Sequence, residues 1–220
     1  MKSKEEKKSI MEKRSAMEIF ATAALSHRDA SIILHNEFYK SRPEVTGALF
    51  PAFLMIVSFE MIVLSIEQSL KLLLMLHFSS YQLKGGHNIY DLLMILDGKG
   101  RSKAVNAPHR GLLRKLLVQA NKILDHEGNT IRPPITKSEL KKVFKKHQNS
   151  YSNLRYLGVG LDLKQKGWDI KIRSEQIMHC MALALVEVNR AKMDELSMKP
   201  YQMKETEEIK SLNQWSLRAQ

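Results

Sequence analysis

Two sets of cations in this 220-residue chain are spaced to neutralise phosphate: Lys99, Arg101, Lys103, Arg110, Arg114 and Lys115, then Lys137, Lys141, Lys142, Lys145 and Lys146. Such groups displace counterions from a polyanion. The formal net charge of +12 points the same way, toward an anionic partner. Each set reads equally well as a solvated face. Charge alone leaves RNA, DNA, a lipid surface and an acidic protein open. Few aromatic residues interleave with these cations, so no base-stacking platform for single strands is evident.

Other chemistries drop out. There is no Gly-rich phosphate loop, nucleophile elbow, helical His-Glu metal motif or calcium loop, which excludes kinase, serine hydrolase and metalloenzyme readings. No metal and no cofactor are expected. The single cysteine, Cys180, rules out an internal disulfide and a Cys-based zinc site. That fits a reducing compartment, with the cytoplasm as the default. The charged start MKSKEEKKSIMEKR lacks the apolar run of a signal peptide.

The elements that must position any site are helical. From Phe50 to Phe78 the chain is apolar on almost every side, as a central helix wrapped by others must be. Glu60, Glu67 and Lys71 interrupt it, so no window reaches the roughly 18 uncharged apolar residues of a membrane span. These three share one face, with Glu67 and Lys71 at ion-pair spacing. Pro51 suits the first turn.

A helix over about Arg14 to Tyr39 precedes this rod, with Phe20, Ala24, His27, Leu34 and Phe38 along one face. A short amphipathic helix follows it, with Ile89, Leu92, Leu93 and Leu96 at helical spacing. Further helices are expected over His109–His126, from the Thr136/Glu139 capping box to about Leu157, and over Ser174–Leu196. Residues 97–108 read as an exposed loop, and GVGLDLKQKGWDIKI as a small hairpin or ordered arm. His27 and His147 read as satisfied interior or boundary residues, and the twelve methionines as adaptable core filling. The expected fold is all-α, an up-and-down bundle of five to six helices around a nearly all-apolar central one. Residues 1–13 form a charged lead-in, 14–198 a single helical domain and 199–220 a polar tail.

The run Glu67-Gln68-Ser69-Leu70-Lys71-Leu72-Leu73, then Gly86-His87-Asn88-Ile89 with Leu92-Leu93, resembles the HEPN superfamily. Its members carry an "EKALKALL" helix, a loop and a "GHDLxxLL" helix, and Leu154-Arg155-Tyr156 resembles the "RY" of a later helix. The resemblance spans about 50 residues. It implies an RNA-directed helical protein of toxin or phage-defence type, homodimeric, and held by an inhibitory or activating partner protein. His87 would then cap the short helix.

The superfamily's ribonucleases use an Arg followed by His after four to six residues. They cut RNA without metal, with His moving protons and Arg stabilising phosphate charge. Two pairs fit that spacing here: Arg173 with His179, and Arg28 with His35. With Ser174 as N-cap, Arg173 lies just outside the last helix and folds back toward its N-terminal anion site. His179 then falls on a second stripe with Leu183, Val186 and Arg190, the stripe assigned to a dimer. Ser174 replaces the family's Asn after Arg, and no Tyr follows two residues after His179. The alternative is a non-catalytic module of the same kind, binding a nucleotide, RNA or a protein. No helix-turn-helix spacing supports a DNA-binding reading.

Overall fold

The computed structural model describes residues 4–40, 49–78, 88–97, 110–126, 133–148 and 172–198. These form six helices, with no strand among the described residues: α1 (Lys4–Lys40), α2 (Leu49–His77), α3 (Ile89–Leu96), α4 (Arg110–His126), α5 (Lys137–Lys146) and α6 (Ile172–Glu195). The fold is all-α, as the residue pattern requires. Among the described residues no helix is long and apolar enough to cross a membrane.

α2 is the axis. Phe59, Ile62, Val63, Ile66, Leu70, Leu73 and Leu74 join one core with side chains from α3, α4, α5 and α6. Because apolar residues surround the helix, burying only one face would leave large apolar area in water. α1 runs antiparallel beside α2: Ser58 Oγ donates to the Ser31 carbonyl at 3.0 Å, and Ser65 Oγ to the Ala24 carbonyl at 2.8 Å. α6 packs on the axis too, with Asn189 Nδ2 donating to the Ser69 carbonyl at 2.9 Å. Met17, Met75, Met193 and Met198 close one end, where unbranched side chains fill an irregular gap between helices.

The polar face of α2 is interior. Lys71 Nζ donates to Glu67 Oε1 at 2.5 Å, and both residues are buried. Glu60 is 1% exposed and neither carboxyl oxygen has a hydrogen-bond partner. Burial pushes its pKa up to about 8, so it is protonated at neutral pH.

Four boundaries differ from the sequence expectation. α1 begins at Lys4, about ten residues early, because the Glu-, Lys- and Met-rich lead-in consists of good helix formers. The cap of α3 is Asn88, not His87: Asn88 Oδ1 accepts from the Tyr90 and Asp91 amides at 3.0 and 3.1 Å. α5 starts as expected, with the Glu139 amide donating to Thr136 Oγ1 at 3.1 Å, but stops at Lys146 rather than near Leu157. There His147 leaves the helical path and sets its ring edge-on to Phe59, centroids 4.7 Å apart. This burial, with Lys146 beside it, pushes the His147 pKa down to about 4. Finally, α6 starts at Ile172, so Ser174 lies inside its first turn and is not the cap.

His87, the 98–108 part of the loop, the Arg155-Tyr156 motif, the 158–171 arm and the 199–220 tail lie outside the described residues.

Candidate functional site

Helical geometry sorts the four motif residues before any contact is considered. Arg28 and His35 are seven residues apart, so they share one face of α1. Glu175 and His179, four apart, share one face of α6. Arg173 and His179, six apart, lie about 120° apart around the helix and cannot face one target.

The structure follows this sorting. His35 Nδ1 lies 3.1 Å from Glu175 Oε1, with both side chains about four-fifths buried. The approach is an ion-pair contact without hydrogen-bond alignment. His179, one turn beyond Glu175, is pushed down to about pKa 4. Burial contributes most; the charges of His35 and Arg28 add to it, and Glu175 opposes them. Its imidazole is therefore neutral at pH 7, a proton acceptor. Arg28 is half-buried, and its Nε and second terminal nitrogen donate to Asp29 Oδ1 at 2.8 and 2.6 Å. The stripe of α6 that carries His179 is thus met by α1 of the same chain.

Arg173 goes elsewhere. From the first turn of α6 its guanidinium forks onto Glu139 of α5, at 2.9 and 3.2 Å, and donates to the Pro133 carbonyl at 2.7 Å. The Arg173 hydrogen bonds hold the Glu139 carboxyl below its ordinary value; burial opposes them, and the Thr136 amide assists. The same helix is held on its other flank by Asp97, the C-cap of α3, which accepts from Lys141 at 2.6 Å and pairs with Lys137. Burial alone would raise the Asp97 carboxyl, but the two lysines outweigh it and its pKa is lowered.

The cations expected to meet phosphate divide accordingly. Lys141 is half-buried in the Asp97 pair, whereas Lys142, Lys145 and Lys146 stand exposed on α5 and Arg114 and Lys115 on α4. Arg110 is the first residue of α4; Lys99, Arg101 and Lys103 lie outside the described residues. Among the described residues no group of three His, Cys, Asp or Glu is placed to hold a metal ion.

His27 differs from the expected satisfied residue. Its Nδ1 is buried without a hydrogen-bond partner, and burial lowers its pKa while Glu67 opposes the shift. Glu175 and Asp29 were not singled out from the sequence. The signal for Glu175 was its spacing of four from His179, the same spacing that identified Glu67 and Lys71. Asp29 had none beyond adjacency to Arg28.

Comparison of the chain with protein-family profiles, with curated proteins and with solved structures finds no match.

Proposed function

We propose that this is an HEPN-like, RNA-directed protein of the toxin or phage-defence type, acting as a metal-independent endoribonuclease that blocks translation. The observation that carries the reading is the His35–Glu175 contact across α1 and α6, with His179 one turn beyond Glu175 and within the electrostatic reach of His35 and Arg28. His179, neutral at pH 7, takes the proton of the ribose 2′-hydroxyl. Arg28 stabilises charge on the phosphate, and His35 serves the leaving oxygen. Exposed Lys142, Lys145, Lys146 and Arg114, with the excess of positive charge, support attraction of the RNA backbone. Arg173 belongs to the scaffold. The resemblance adds a homodimer and a regulating partner protein to this reading.

The test is cleavage of labelled RNA by the purified chain in excess chelator. His35→Ala and His179→Ala each lower the rate by about 100- to 10,000-fold, while Arg173→Ala keeps the parental rate per folded molecule. Cleavage untouched by the two histidine changes sinks the assignment.

A second reading is a non-catalytic RNA- or nucleotide-binding module of the same kind. It is favoured by the Arg28–Asp29 pair, which already spends the arginine's charge, and by the low exposure of both side chains. Retained RNA binding with no cleavage by the parent selects it.

A further inference from the structure

We draw no further inference here: the strongest candidate, the surface stripe of α1 on which Ile19 and Ile33 stand exposed with half-buried Ala23 and Ala30 between them, is an apolar helix face, and nothing among the described residues shows what covers it.

Discussion

Around the first two turns of α6, two groups of charged side chains lie on different sides and are held by different helices. On one side Arg173 spends its guanidinium on Glu139 and the Pro133 carbonyl, and α5 is held from the opposite flank by Asp97 with Lys137 and Lys141. On the other, His35 Nδ1 lies 3.1 Å from Glu175 Oε1, and His179 stands one turn beyond Glu175. A bidentate pair with a third acceptor leaves the arginine little to offer a ligand. The half-buried His179 imidazole is held neutral by burial, one turn beyond the Glu175 carboxylate. Two Arg–His spacings that look alike in sequence thus separate into a clamp on α5 and a seam between α1 and α6.

The contrast is sharpened first by stability. Arg173→Ala breaks three charge-assisted hydrogen bonds and leaves Glu139 without its partner, so it lowers unfolding free energy by about 2 kcal/mol in a denaturant titration. His179→Gln costs less than this. A larger loss for His179→Gln than for Arg173→Ala would reverse the roles assigned to the two sides.

The two sides also titrate in different windows. His179 and His147 have folded pKa values near 4, below the ordinary 6.5, so the unfolded chain binds their protons first. Their contribution is complete above 6.5 and is lost as pH falls from 6.5 toward 4. Asp97 and Glu139 are also lowered, but from 3.8 and 4.5; their contribution holds above those values and disappears only as pH falls through the folded ones. Glu60 works in the opposite direction: raised to about 8, it stabilises fully below 4.5 and that contribution is lost as pH rises toward 8. Stability measured against pH in His179→Gln therefore shows a shallower fall between 6.5 and 4 with the lower limb unchanged. In Glu60→Gln the decline toward pH 8 is removed. A His179→Gln curve that overlays the parent's contradicts the burial assigned to that ring.

The smallest expected effect belongs to the far flank of the clamp. Asp97→Asn removes the charge that Lys137 and Lys141 share and costs about 1 kcal/mol, because both lysines can turn to solvent. Thermal melts at pH 7 measure it, and a loss equal to that of Arg173→Ala would show that the clamp's two flanks are equivalent.

Much of the scaffold was legible because it is written in local pattern. The rod from Phe50 to Phe78, the α3 stripe Ile89, Leu92, Leu93 and Leu96 and the Thr136 cap follow from apolar spacing and capping chemistry. The α1 start was missed although local propensity favours it, whereas the ends of α5 and α6 were missed where tertiary contacts compete. His147 leaves α5 to pack on Phe59, and Arg173 enters α6 to reach Glu139.

The sequence by itself determined an all-helical chain, an axis that must be buried all round, a positive excess and the set of Arg and His residues from which a centre could be drawn. It did so because helix propensity, capping and amphipathic period act over a few residues. Only the tertiary structure decided that Arg173 reaches Glu139 and that His35 meets Glu175. Those outcomes depend on the register of α1 against α6 and on carboxylates far away in sequence, Glu139 and Glu175, whose partners no local spacing specifies.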